Sequence, residues 1–468
     1  MRFDVESIRV SISKSVTIED LLVIIERQAA LIVRLESRIV ELEEEVARLR
    51  KGPSSGGGDN VPSFVRSNVP IVPKKERKPR SESCGRQRED ATRIVEHSLN
   101  NCPDCARPLI GGWLHRVRQV IEIPETRYEV IEHRIMRRHC GVCGKNYEPK
   151  PELSKEVVGK HRVGIRIMSL VVTLNKAYRM TVRSIKQTLH SLFGLQLSIG
   201  EISELLHSVA RRGQPCYEEL LVQVRNSGCV LADETSWREN GQNHWLWSFS
   251  TSEARYFVEN KSRGHLIPKE VLGSEWTGVL SSDFYSAYSF YLGEHQRCWV
   301  HYLRDLKALQ DKHPNDKSLM KWINRVHKVY RDAKEYATSH EPGYKQDRVR
   351  ARARSHFQAK LIALAEPYID LEVPQRTLSK RIMRFANEMF TFIQHPHVPS
   401  DNNGAERAIR PAVIYRKVTG GTRSQVGSTT TAVLLSLVGT WNLRGQDTLK
   451  ACAEMLRSTA PKNISHQV

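Results

Sequence analysis

The chain is 468 residues long, too long for one core, and carries 72 Lys+Arg against 52 Asp+Glu, a formal net charge of +20. With 40% hydrophobic residues, wholesale disorder is excluded. No window approaches the ~18–20 consecutive apolar residues of a membrane span, and the N-terminus lacks a secretory pattern, so a cytoplasmic protein without a membrane partner is expected. Nine cysteines spread over such a chain favour reduced thiols and a metal site over a disulfide framework. The positive excess favours a polyanionic partner, nucleic acid first.

Residues 1–51 carry a heptad seam. Ile18, Leu21, Ile25, Gln28, Ile32, Leu35, Ile39, Leu42, Val46 and Leu49 alternate at spacings of three and four. Ile or Val at every a position and Leu at most d positions favour a parallel two-stranded coil. Arg38 would face Glu43 of the other helix, and Glu45 would face Arg50, so a homodimer or higher oligomer is expected. Residues 52–92 read as a flexible basic linker, opening on Gly52-Pro53-Ser54-Ser55-Gly56-Gly57-Gly58. Within it Lys74, Lys75 and Arg77 are candidates for DNA phosphate contact.

Residues 93–150 read as a small zinc-ribbon-like module. Cys102-Pro-Asp-Cys105 and Cys140-Gly-Val-Cys143 are two thiolate pairs, which together supply the four tetrahedral ligands of one closed structural Zn²⁺ site. Strands over Arg118–Ile123 and Tyr128–Ile135 are expected to bring the pairs together. Residues 151–225 read as helices, with Gly194 ending one and Ser198 with Glu201 capping the next, a pattern compatible with helix-turn-helix DNA binding.

From residue 226 to 445 the pattern is α/β. Strands are predicted at Cys229–Ala232, Trp245–Ser250, Tyr256–Glu259 and Gly278–Ser281, with a helix at 264–272. Helices follow at 300–312, through most of 318–392, from about 402 and near 429–439. Strand–helix alternation after three strands argues for a mixed sheet. An inserted helical subdomain is expected at about 321–395, and residues 446–468 read as a final helix and tail. Residues 321–430 carry 20 Lys+Arg against 10 Asp+Glu, and Arg348, Arg350, Arg352 and Arg354 are candidate phosphate contacts there.

Carboxylates at strand ends are how an α/β sheet offers hard oxygen ligands to Mg²⁺ or Mn²⁺. Asp233 follows the first predicted strand and Asp283 the fourth. A third candidate, Glu406, lies in Pro-Ser-Asp-Asn-Asn-Gly-Ala-Glu-Arg-Ala-Ile-Arg-Pro, where Asp401 or Asn402 can cap a helix. Such a set holds paired divalent ions that serve phosphodiester chemistry.

In this order, the zipper, the Cys pairs, the helical region, Ala-Asp-Glu-Thr and Asp-Asn-Asn-Gly-Ala-Glu-Arg-Ala-Ile-Arg-Pro resemble the sixty-six family of bacterial insertion-sequence transposases. The resemblance covers nearly the whole chain. It implies an RNase H-like catalytic domain of the DDE type, with Asp233, Asp283 and Glu406 as catalytic carboxylates on two Mg²⁺ or Mn²⁺ ions. It implies action on element terminal repeats and target DNA on the bacterial chromosome, with helper proteins from the same element as further partners. Cys298-Trp299-Val300-His301 is similar to the family's Cys-Trp-Ala-His segment, with Val300 in place of Ala. Cys298 and His301 read either as positioning groups near the site or as buried structural residues. Asn402, Asn403 and Arg407 flank Glu406 as further positioning candidates. A nuclease without strand transfer and a catalytically inactive zinc-containing DNA-binding regulator are the competing readings.

Overall fold

A computed structural model describes residues 90–339 and 347–458. The zipper over 1–51, most of the linker, and Lys74, Lys75 and Arg77 lie outside the described residues. The chain divides into two units, residues 1–121 and 122–468.

In the first unit, regular pairing among the described residues is confined to a bridge between Asn101 and Pro108 around the first Cys pair. In the second, β1 (Arg138–Cys140) pairs antiparallel with β2 (Lys145–Tyr147) around the second pair. The strands expected at Arg118–Ile123 and Tyr128–Ile135 are not formed. An alternating strand persists where a neighbour or a core covers it, whereas Val120, Ile121, Ile123, Val130 and Ile131 are all exposed.

Three helices follow: α1 (Ile165–Val172), α2 (Val182–Phe193) and α3 (Ile199–Arg225). The Thr181 side chain caps α2, which ends at Gly194 with φ +70°. α3 opens on the full Ser198/Glu201 capping box, each side chain accepting from the other residue's backbone N–H. Their apolar faces bury Ile185, Leu189, Ile202, Leu205 and Val209 in the same core as the sheet. These helices are therefore a layer of the α/β body, not a free-standing pair.

The sheet comprises β3 (Cys229–Glu239), β4 (Gln242–Ser250), β5 (Arg255–Asn260), β6 (Val279–Ser282) and β7 (His295–Arg297), in the order β5-β4-β3-β6-β7. β3–β4 and β4–β5 are antiparallel, whereas β3–β6 and β6–β7 are parallel. The crossover between β5 and β6 carries α4 (Leu266–Leu272). β3 runs seven residues past the expected end because Asn240-Gly241, both at positive φ, turns it into a hairpin with β4. β7 is only three residues long and has no period to read.

Past β7 lie α5 (Trp299–Lys312), α6 (Lys317–Ser339), α7 (Asp347–Ala365), α8 (Arg376–Met389) and the short α9 (Thr391–Gln394). They share a core of their own around Trp299, Tyr302, Trp322, Val326, Leu361, Ile382 and Phe390. That core begins at Trp299, earlier than the expected start at 321. The chain then returns to the sheet through α10 (Asn403–Thr419), α11 (Gln425–Leu443) and α12 (Thr448–Arg457). α11 is buried nearly all round, between β5, α3 and α12. No helix among the described residues is long and apolar enough to cross a membrane.

Candidate active site

The parallel ladder of β3 and β6 ends at Leu231–Ser281. Asp233 and Asp283 each lie two residues further on. Asp233 sits inside β3, paired across to Ser248 of β4, instead of following the strand as expected. Past the end of β6, that edge of β3 is met by α10, through Asn402 on the Ala232 carbonyl and Arg416 on the Ser236 carbonyl. Asp283 follows β6 directly, and its Oδ1 accepts the Tyr285 N–H at 2.9 Å. The buried Arg297 guanidinium donates to the Asp283 carbonyl at 2.8 Å, pairs with Glu388 of α8 at 2.5 Å, and lies over the Phe385 ring.

The third acid arrives on α10, whose start is fastened to the sheet. Asn402, 1% exposed, donates from Nδ2 to the Ala232 carbonyl at 2.8 Å and from its backbone N–H to Cys298 Sγ at 3.1 Å. Gly404 lies so close to β3 that a Cβ there would stand 2.5 Å from Leu231 Cδ1. One turn on, Glu406 Oε1 faces His301 Nε2 at 3.5 Å and Arg304 at 3.8 Å.

Asp283 and Glu406 each act electrostatically on Asp233. Burial, then Glu234, Asp283 and Glu406, push the Asp233 carboxyl up to about 7. Glu234 points to the opposite face, where it accepts from Tyr288 at 2.6 Å and from Arg263 at 2.7 Å. Its own pKa is raised, chiefly by burial. Arg263 is in turn sandwiched against the Trp245 and Tyr285 rings.

Glu406 Oε1 and Asn402 Oδ1 are buried oxygens without a hydrogen-bond donor. Cys298, buried, with its thiol pushed up chiefly by burial, serves as the acceptor that anchors Asn402. His301 sits beside Glu406, and the Asn403 N–H donates to Asp401 Oδ1. Arg407 is exposed and lies near Arg255, whose guanidinium burial and Arg407 together lower to about 10.

The four arginines of α7 divide. Arg348 and Arg352 are exposed. Arg350 is 1% exposed and donates to the Ile393 carbonyl, and Arg354 is held by Glu294, Gln394 and the Asn387 carbonyl. Phosphate contact is thus open to the first pair but not to Arg350, because alternate residues of a helix point to different sides. Glu234, Arg263, Tyr288, Arg297 and Glu388 were not singled out in the sequence. Only Glu234 carried a signal, standing next to Asp233.

The two Cys pairs adopt matching turns, each in its own unit. The Ala106 N–H donates to the Cys102 carbonyl and the Gly144 N–H to the Cys140 carbonyl, both at 2.9 Å, with Ala106 and Gly144 at positive φ. Backbone amides of Cys105 and Asp104 lower the Cys102 thiol, and those of Cys143 and Val142, with the Cys143 side chain, lower Cys140. N–H groups aimed at the first sulfur suit a thiolate pair that binds metal.

Residues 160–430 match the Transposase IS66 family, and the chain belongs to that family. The chain is also 28% identical over 193 residues to the uncharacterized protein y4jO of Sinorhizobium fredii (strain NBRC 101917 / NGR234). That similarity spans 41% of this chain and 56% of the relative, so the chain covers little more than half of its length.

Proposed function

We propose that the chain is a DNA transposase that cuts element ends and joins them to target DNA through an RNase H-like DDE site built from Asp233, Asp283 and Glu406. The observation that supports this reading is that Asp233, on β3, is acted on electrostatically by both Asp283, at the end of β6, and Glu406, at the start of α10. The sheet order, with one antiparallel hairpin arm and three neighbouring parallel strands, supports the RNase H-like reading.

In this reading the three carboxylates are ligands, not nucleophiles. Asp233, Asp283 and Glu406 would hold two Mg²⁺ or Mn²⁺ ions, which would supply Lewis acidity for phosphodiester cleavage and joining. Arg297 holds the Asp283 backbone through its carbonyl, and Asn402 ties the start of α10 to β3. His301 and Arg304, beside Glu406, offer N–H donors to the DNA backbone. The thiolates of Cys102, Cys105, Cys140 and Cys143 would hold one structural Zn²⁺.

Cleavage and strand transfer on a terminal-repeat duplex with Mg²⁺ test the reading. Asp233→Asn, Asp283→Asn and Glu406→Gln should each abolish both steps while DNA binding persists. Full activity in any one variant removes that residue from the site. Cleavage without joining by the wild type would favour a nuclease.

A further inference from the structure

A second set of ligands lies at the far end of β3. Glu239 is two residues past Trp237, His244 two before Leu246, and Glu259 two past Phe257. Trp237, Leu246 and Phe257 share one small core with α10 and α11. Strand alternation therefore puts Glu239, His244 and Glu259, from three adjacent strands, on that same face at the rim of the core. One ligand atom from each lies within 4.8 Å of the others. Asp233 is six residues back along β3, roughly 20 Å at the ordinary strand rise, so the two sets cannot share an ion.

The donors are held in place. Glu239 Oε2 accepts from Ser428 Oγ at 2.5 Å, Ser428 Oγ lies 2.6 Å from Thr422 Oγ1, and Trp237 Nε1 donates to Thr422 Oγ1 at 3.1 Å. His244 Nδ1 is hydrogen-bonded to Glu259 Oε1, and these two side chains are only 13% and 9% exposed. Burial raises the Glu259 carboxyl above its ordinary range, the His244 imidazole opposes that shift and Glu239 adds to it.

We propose that Glu239, His244 and Glu259 form a divalent-metal site that takes Zn²⁺. One imidazole nitrogen and two carboxylate oxygens are a ligand set that zinc accepts, with water completing the tetrahedron. Zinc bonds of ~2.0–2.2 Å set ligand atoms roughly 3.5 Å from one another, so the hydrogen-bonded His244 and Glu259 atoms would move apart to admit the ion between them. The proton between His244 and Glu259 must leave Nδ1. A neutral ring carries it on Nε2 instead, and a cationic ring releases one proton to water. The ion would clamp the β3–β4 hairpin to β5 and, through Ser428, to the first turn of α11.

The test measures zinc per chain by elemental analysis after dialysis of the full-length protein loaded with Zn²⁺ alone. Wild type is compared with Glu259→Gln, Glu239→Gln and Asp233→Asn. Glu259→Gln and Glu239→Gln should each lose one equivalent, and the zinc-dependent rise in Tm should fall with it. Asp233→Asn should keep the equivalent that Glu259→Gln and Glu239→Gln lose, which separates this site from the catalytic reading. With Co²⁺ in place of zinc, the strong thiolate absorption of the Cys pairs should be equal in all four proteins. Glu239 lies at the rim and its amide still accepts from Ser428, so that variant keeps the readout if Glu259→Gln fails to fold. Equal zinc content and equal zinc-dependent Tm shifts in wild type and Glu239→Gln would overturn the proposal.

Discussion

Asp233 and Asp283 occupy equivalent places on neighbouring parallel strands, each two residues beyond the last ladder pair, Leu231 with Ser281. Adjacent strands run ~4.8 Å apart, so this register alone delivers two carboxylates to one edge of the sheet. The arrangement is electrostatically costly without a cation. Burial and the neighbouring acids hold the Asp233 carboxyl at about 7 against an ordinary value of 3.8.

That shift sets a pH dependence. The folded chain binds the Asp233 proton more tightly than the unfolded chain, so the associated stability is complete below about pH 4 and is lost as pH rises through 7. Metal-free protein should lose on the order of a few kcal/mol between pH 4 and 8, with Glu234, raised in the same direction, adding to the loss. Asp233→Asn should make the loss clearly smaller. Urea denaturation with chelator at pH 5 and pH 8 measures it, and an identical loss in both proteins would count against this account.

Gly404 governs how closely α10 approaches β3. An added Cβ meets Leu231 Cδ1 at 2.5 Å, which a rotation of Leu231 can relieve. A branched side chain needs more room and should shift the helix start that carries Glu406. Gly404→Val is therefore expected to lower cleavage at least tenfold and stability by ~1–3 kcal/mol. Gly404→Ala should retain most of both. Equal activity in the two variants would show that the close approach is not required.

The three candidate acids stand beside strong local patterns in the sequence: Asp233 and Asp283 beside apolar strands, and Glu406 just after an Asn-Asn-Gly helix start. The capping box at Ser198 and the stop at Gly194 were equally local and match the structure. What could not be read depends on distant partners. Arg297 reaches Asp283 only because β7 pairs with β6, and a three-residue strand leaves no period. Arg263 meets Glu234 across 29 positions. The alternation at Tyr128–Ile135 misled, because amphipathic spacing states a preference and no neighbouring strand satisfies it there.

The matching Cys turns predict coupled loss of metal. Amides of Cys105 and Asp104 lower the Cys102 thiol, and those of Cys143 and Val142, with the Cys143 side chain, lower that of Cys140. Cys102→Ser and Cys140→Ser should each remove the same single thiolate-bound zinc, since a pair alone leaves half the coordination sphere unfilled. Elemental analysis with a thiolate–Co²⁺ spectrum reads this directly. Independent half-losses would mean two separate sites.

The arginines of α7 separate charge used for folding from charge offered to DNA. Arg348 and Arg352 are one helical turn apart on the exposed side, whereas Arg350 is buried and donates to the Ile393 carbonyl. Each phosphate contact contributes about 0.9 to the slope of log affinity against log salt on duplex DNA. Replacing both Arg348 and Arg352 by Ala should therefore weaken binding at low salt and flatten that slope by up to ~2, with Tm nearly unchanged. Arg350→Ala should do the reverse. It leaves the Ile393 carbonyl without this donor and opens space beneath the helix, for a loss of ~2–4 kcal/mol, while the salt slope of the folded protein stays at the wild-type value. Binding isotherms at several salt concentrations, paired with urea denaturation of the same proteins, measure both quantities. A flattened slope in Arg350→Ala with unchanged stability would place that side chain at the DNA and overturn the division.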